Sequence, residues 1–159
     1  MRFILLDRVT ELERGRRICA VKALTLAEEY LGDHFPIFPV MPGVLMIEAL
    51  VQTAAMLVRV SNDFGQSIVV LEEARNVKYK SFVKPGNILR LEVEAREIGP
   101  GSSSFSGAGY VEDQPMVEAR LKLRHFNLAD QDKNMGLVDE RIKTEMKRQA
   151  RLVGACRDE

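Results

Sequence analysis

The residues best suited to do chemistry are His34, Gly43 and Glu48, which lie close together in the sequence. Imidazole exchanges protons near neutral pH, so His34 could take a proton from the carbon next to a carbonyl group. Gly43 has no side chain to keep a ligand off its N–H, which could hold a thioester oxygen as negative charge develops. If burial keeps Glu48 protonated, its carboxyl could donate to a leaving hydroxyl. Together they indicate acid–base chemistry on a carbonyl compound.

Two different elements must position these groups. Pro36, Pro39 and Pro42 exclude a helix after His34, because each proline fixes φ and lacks an N–H donor. This part of the chain is therefore predicted to be a stiff, extended loop. From about Val44 to Val60 an apolar run without turn residues predicts a helix of about four turns. That helix is apolar on every side, so we expect a sheet to enclose it.

Glu48 and Gln52 are polar exceptions on this apolar helix, and their spacing of one turn places them on the same face. A buried carboxylate costs free energy unless it has a partner or a function. The pair is therefore a candidate functional site on a structural element.

The rest of the chain predicts an antiparallel sheet. Residues 3–9 and 17–24 are predicted to pair as a hairpin, followed by a short helix or turn at about 26–31. After the core helix, apolar and polar residues alternate with a period of two, which is typical of half-buried antiparallel strands. These later strands are predicted at 67–79, 88–97, 103–111 and 117–124, with a type II turn at Pro85–Gly86. The pattern indicates a sheet wrapped around one helix.

Composition excludes several functional classes. The chain has 159 residues, enough for one domain, and its 23 basic and 23 acidic side chains give no net field to attract nucleic acid or a membrane. The uncharged stretch from Ala49 to Val58 is shorter than the roughly 18 residues that a membrane span needs. The N-terminus has no signal-peptide pattern, so a cytoplasmic protein is expected. Cys19 and Cys156 lack metal-ligand spacing and are predicted to be reduced thiols.

We expect residues 1–126 to form the domain, and residues 127–159 to form a polar linker and a C-terminal amphipathic helix at about 139–153. The helix has a narrow apolar stripe and densely charged other faces. It is predicted to pack on the same domain or on a neighbouring subunit.

The string HFPxxPVMPGVLxxEAxxQ, from His34 to Gln52, resembles the active-site motif of the (3R)-hydroxyacyl-acyl-carrier-protein dehydratases of the FabZ type. Shorter matches at Leu5–Val9 and Glu73–Gly86 extend the resemblance over about residues 3–126. It implies an α+β hotdog fold, in which a curved antiparallel sheet wraps around a long central helix, here with an extra C-terminal helix. It also implies dehydration of 3-hydroxyacyl to trans-2-enoyl thioesters on acyl carrier protein in fatty-acid biosynthesis. No metal or organic cofactor is implied, and family members form homodimers, often trimers of dimers.

By the same resemblance, His34 and Glu48 are the catalytic residues, contributed to each site by opposite subunits. Gly43 is expected to supply the oxyanion N–H, Val40 a backbone carbonyl that orients His34, and Gln52 a polar support for Glu48. A separate hypothesis concerns a local basic cluster on a predicted strand and its turn, which could contact the acidic carrier protein. Its members are Arg75, Lys78, Lys80 and Lys84.

One departure from the family pattern supports an alternative function. The family usually has glycine at the position of Ile37, and a β-branched residue resists the positive φ that glycine tolerates. We therefore expect either a reshaped loop or a narrowed site. The alternative is a hotdog paralogue with lost or altered activity, which binds or hydrolyses acyl thioesters.

Overall fold

The computed structural model describes residues 3–156, and within that range it contains six strands and three α-helices. Two short 3-10 turns, Leu128–Asp130 and Lys133–Met135, precede the last helix. In chain order the elements are β1 (Arg8–Glu13), β2 (Arg17–Ala23), α1 (Tyr30–Asp33), α2 (Gly43–Ser61), β3 (Ile68–Tyr79), β4 (Ile88–Ile98), β5 (Ser102–Val111), β6 (Gln114–Phe126) and α3 (Gly136–Leu152).

The strands form one antiparallel sheet in the order β1-β2-β4-β5-β6-β3, so β1 and β3 are its edges. Helix α2 packs against the inner face of five of these strands. Alternation decides which side chains face it: Leu89, Leu91 and Val93 of β4 are buried, while the residues between them are partly exposed. The predicted α+β hotdog arrangement, with a helix at the C-terminal end, is confirmed.

Helix α2 begins one residue before the predicted start and ends one residue after the predicted end. Its last turn is closed by Phe64, which has a left-handed φ of 58° and donates its N–H to the Arg59 carbonyl at 2.7 Å. At mid-helix, Leu50 packs directly on β5, because a Cβ on Gly107 would lie only 3.3 Å from Leu50 Cδ2. Glycine at that position lets the sheet approach the helix.

By length and composition α2 could cross a membrane, since its mean hydropathy is 1.6 over the best window. However, 72% of that window is buried inside the fold. The apolar run is therefore the core helix of a wrapped sheet.

The N-terminal segment differs from its prediction. The first strand spans 8–13 and not 3–9, and the turn after it lies at 14–16. Leu5 and Leu6 are buried, as their apolar character predicts, but the Leu5 N–H donates to Gln52 Oε1 at 2.8 Å. A side chain of α2 therefore holds this segment at Leu5, and strand β2 holds it only from Asp7, whose N–H donates to the Val21 carbonyl at 2.9 Å.

Helix α3 packs on its own chain. At its start, buried Asp139 accepts hydrogen bonds from Ser67 Oγ at 2.5 Å and from the N–H groups of Leu128 and Ala129 at 2.9 Å each. Burial alone would raise the pKa of the Asp139 carboxyl, but these hydrogen bonds outweigh it and the pKa lies below its usual value. Just beyond α3, the Val153 carbonyl accepts the Val9 N–H at 2.8 Å. Hydrogen bonds at its two ends thus connect α3 to the segment before β3 and to β1.

Candidate active site

His34 follows the short helix α1 directly and caps its C-terminal end. Its backbone N–H donates to the Tyr30 carbonyl at 3.1 Å, and this bond fixes the position of the backbone that carries the imidazole. The half-buried imidazole lies with its centroid 4.3 Å from that of the Phe35 ring. Among residues 3–156 of one chain, it forms no hydrogen bond to Val40 or to Glu48. Its nitrogens are therefore available to a ligand or to a second chain.

The loop after His34 takes its left-handed residue at Phe35, with φ of 48°, and not at Ile37. A left-handed conformation costs a residue other than glycine about 1–2 kcal/mol, and such strain is typical of functional loops. The Ile37 side chain is 100% exposed. The isoleucine is thus accommodated without positive φ, and Ile37 does not fill the interior of the chain.

Gly43 is the first residue of α2, and Pro42 before it provides no side-chain cap. The first N–H groups of a helix have no partner within the helix, and the helix dipole adds partial positive charge there. The ring of Tyr79, at the end of β3, packs on Gly43: a Cβ on the glycine would lie 2.9 Å from Tyr79 Cε1. Glycine is therefore required for this contact, and the site can bind an oxyanion.

Glu48 lies one turn and a half further along α2 and is half-buried. Gln52 Nε2 donates to Glu48 Oε1 at 3.1 Å and to the Phe3 carbonyl at 3.0 Å. Because Gln52 Oε1 accepts the Leu5 N–H, the orientation of the amide is fixed and its NH₂ group must face Glu48. Glu48 Oε1 is thus an acceptor, and a proton on this carboxyl belongs on Oε2.

A single chain therefore brings together Gly43, Glu48 and Gln52 on α2, with Val40 buried just before them. It leaves His34 on the preceding loop without a hydrogen bond to this group among the described residues.

The four residues of the predicted basic cluster have different surroundings. Arg75 pairs with Glu73 at 2.6 Å and Lys80 pairs with Glu118 at 2.8 Å. Lys78 lies opposite Glu118 in the β3–β6 register. Lys84 instead lies 5.8 Å from the centre of the Phe38 ring, beside the loop that carries His34. The four residues do not form one uniform basic surface.

The second histidine, His125, is 2% exposed on the inner face of β6 and bonds to Ser103 Oγ through Nε2 at 2.9 Å. Burial lowers the pKa of its imidazole, because removal from water disfavours the charged form. No group of three or more His, Cys, Asp or Glu side chains within 3–156 is arranged to hold a metal ion.

Sequence reasoning missed Tyr79 and the backbone groups of Phe3 and Leu5. Tyr79 lies between Lys78 and Lys80 of the predicted basic cluster, and nothing in the sequence indicates that its ring reaches Gly43. The contact of Gln52 with the N-terminal segment depends on the tertiary path of that segment.

Comparison with known proteins assigns the chain to a family. The FabA-like domain matches residues 1–120. The chain is 40% identical over 122 residues to a 3-hydroxyacyl-[acyl-carrier-protein] dehydratase FabZ of Variovorax paradoxus, covering 75% of this chain and 81% of the relative. It is 38% identical over 128 residues to the FabZ of Symbiobacterium thermophilum, covering 80% and 88%.

Solved structures share the fold. A dehydratase heterocomplex, ApeI:P of Xenorhabdus doucetiae, superposes with a TM-score of 0.69 at 16% identity, covering 84% of this chain and 90% of that one. The protein smu.793 of Streptococcus mutans, bound to acetyl CoA, gives a TM-score of 0.60 at 15% identity over 80% and 94%. The sequence relatives and the His34–Gln52 motif agree, and the chain belongs to the FabA-like family, with relatives that are FabZ dehydratases.

Proposed function

We propose that this protein is a hydro-lyase that removes water from (3R)-3-hydroxyacyl thioesters on acyl carrier protein and forms trans-2-enoyl thioesters in fatty-acid biosynthesis. The observation that supports it best is the arrangement on α2, where an uncapped N-terminus at Gly43 precedes a carboxyl group held by Gln52. Family membership supports the same reaction. The alternative paralogue rested on Ile37, whose exposed side chain gives it no support.

In the proposed mechanism, His34 removes a proton from the carbon next to the thioester carbonyl. The electron pair moves onto the carbonyl oxygen, which the Gly43 N–H and the helix dipole stabilise. The pair then returns to form the carbon–carbon double bond as the bond to the hydroxyl breaks. Glu48 donates the proton that lets this hydroxyl leave as water, from the oxygen that does not accept the Gln52 bond.

This mechanism requires two chains, since His34 and Glu48 are proposed to come from opposite subunits. Strand β3 supports a homodimer, because it lies at an edge of the sheet and exposes Val70, Leu71 and Val77. The free edge of a sheet presents unpaired backbone N–H and C=O groups and is a typical site for pairing with another chain. Val40 and Gln52 would then position the two catalytic side chains, and a trimer of such dimers is the proposed larger assembly.

We propose that residues 1–126 are the catalytic domain, that residues 127–159 are an addition to it, and that the protein is cytoplasmic. No step of the mechanism requires a metal or an organic cofactor. Of the basic cluster, Lys78 and Lys84 are the proposed carrier-protein contacts, since Arg75 and Lys80 already have carboxylate partners.

The test follows the absorbance of the conjugated enoyl thioester formed from a 3-hydroxyacyl carrier protein. His34→Ala and Glu48→Gln should each lower kcat by about 10²- to 10⁴-fold without changing the thermal midpoint. Mixing the two inactive variants should restore up to about a quarter of the sites, because an exchanged dimer pairs an intact His34 with an intact Glu48. Unchanged kcat in either variant would reject the assignment, and a failure of mixing alone would reject the shared site.

A further inference from the structure

An exposed aromatic patch lies next to the loop that carries His34. Phe38 and Phe82 are 49% and 60% exposed, and their rings meet edge to face at 5.9 Å. Ile37 next to them is 100% exposed. The patch is defined as Ile37, Phe38, Phe82 and Lys84. It adjoins His34 through Phe35, whose carbonyl accepts the Phe38 N–H at 2.8 Å and whose ring centroid lies 4.3 Å from that of the His34 imidazole. Exposed apolar clusters of this kind mark interaction sites.

The patch is held rigidly. The Met41 N–H donates to the Val83 carbonyl at 2.9 Å, which ties the loop to the segment that carries Phe82 and Lys84. After Lys84, the Gly86 N–H donates to the Leu24 carbonyl at 2.8 Å, and the Leu24 N–H returns a bond to Asn87 at 3.0 Å. Two segments distant in sequence therefore present one fixed surface, which lowers the entropy cost of binding a partner.

Charge indicates the kind of partner. The Lys84 ammonium lies over the Phe38 ring at 5.8 Å and forms no ion pair within residues 3–156. A cation at the rim of an apolar surface suits a partner with an apolar centre and an acidic rim.

Size also favours a transient partner over a second copy of this chain. The exposed parts of the three apolar side chains sum to about 400 Å². A stable dimer buries about 800 Å² on each partner, whereas brief encounters use much less.

We propose that Ile37, Phe38, Phe82 and Lys84 form the docking surface for the acyl carrier protein that delivers the thioester. This inference rests on the proposed function and deepens it. An apolar contact of the carrier lies on the aromatic pair, Lys84 meets a carboxylate at the rim of that contact, and the thioester extends toward the neighbouring His34.

The experiment compares one acyl group on two carriers: the 3-hydroxyacyl carrier protein and the N-acetylcysteamine thioester, which is too small to touch the patch. Phe82→Ser and Lys84→Glu should each raise KM for the carrier protein about tenfold, with kcat unchanged, and change KM for the small thioester less than twofold. The controls are Leu137→Ser, another exposed apolar residue on α3, and Arg124→Glu, another cation over a ring, at 5.0 Å from Phe126. Both controls should behave as wild type on both substrates.

Three results would overturn the inference: equal effects on both substrates, no effect on either, or loss of activity together with a change of oligomeric state by light scattering. The last would assign the patch to a second copy of the chain. Failure of the wild type on both substrates would reject the proposed function instead. In that case, fluorescence anisotropy with labelled carrier protein still tests whether the patch binds the carrier. Phe82→Ser and Lys84→Glu should each weaken binding about tenfold, and unchanged binding would overturn the inference.

Discussion

Replacing Gly43 by alanine tests whether the start of α2 binds the oxyanion. The added Cβ would lie 2.9 Å from Tyr79 Cε1 and 3.2 Å from Cδ1 and Cζ. Carbon atoms prefer separations of about 3.5–4.0 Å, so either the ring or the helix start must move by roughly 0.5–1 Å. A displacement of about 1 Å in a reacting group costs up to about 10²-fold in rate. We therefore expect Gly43→Ala to lower kcat about 10- to 100-fold, or about 1.4–2.7 kcal/mol in the barrier.

The assay measures kcat with the 3-hydroxyacyl carrier protein, together with the thermal midpoint of unfolding. The midpoint should change little, because the higher helix propensity of alanine, worth up to about 1 kcal/mol, offsets the cost of displacing the Tyr79 ring. Tyr79→Ala serves as the matched variant, since it removes the ring that the new Cβ meets. The double variant Gly43→Ala/Tyr79→Ala should recover to within about threefold of Tyr79→Ala alone, because the helix start can return to its position.

Two outcomes would refute this reasoning. Full activity in Gly43→Ala would show that the amide does not hold the developing charge. A double variant as impaired as Gly43→Ala would show that the methyl group blocks the ligand directly, and that Tyr79 does not transmit the effect.

Three further predictions concern side chains that hold the site and the fold. Gln52→Leu leaves the Leu5 N–H without its acceptor, so the free energy of unfolding should fall by about 1–3 kcal/mol in urea titrations. In the activity assay, kcat should fall by a larger factor than KM rises. Unchanged kcat would show that Glu48 does not need the support of Gln52. Because burial lowers the pKa of His125 below its ordinary 6.5, the unfolded chain binds this proton more tightly, and stability should decline as pH falls through 6.5. Urea unfolding between pH 7.5 and 5 should show this slope in the wild type and a shallower one in His125→Gln; equal slopes would contradict it. Hydrogen bonds hold the pKa of Asp139 below its ordinary 3.8. Its contribution to folding stability is therefore present above pH 3.8 and is lost as the pH falls through the lower pKa of the folded state. Asp139→Asn should lower the thermal midpoint at pH 7 by several degrees, and an unchanged midpoint would mean that the Ser67 contact does not anchor α3.

Much of the fold could be predicted from local patterns. The length of the apolar run after Gly43 predicts a helix, and the period-two segments after it predict half-buried strands, because burial on one face requires alternation. The first strand was misplaced, since Leu5 and Leu6 have the pattern of a strand but pack on α2. The periodicity of apolar residues indicates which side chains are buried, but it does not indicate which neighbouring group accepts the hydrogen bond of a backbone N–H.

The sequence by itself determined which residue types are available for the proposed chemistry, His34, Gly43, Glu48 and Gln52, and local patterns predicted their placement on a loop and a helix. Only the tertiary structure decided how these groups are supported. The Tyr79 ring against Gly43, the Leu5 N–H that orients Gln52 and the patch of Phe38 and Phe82 all join residues distant along the chain. Contacts of that kind depend on how the sheet wraps the helix, which is set by the packing of the whole domain and not by any local pattern.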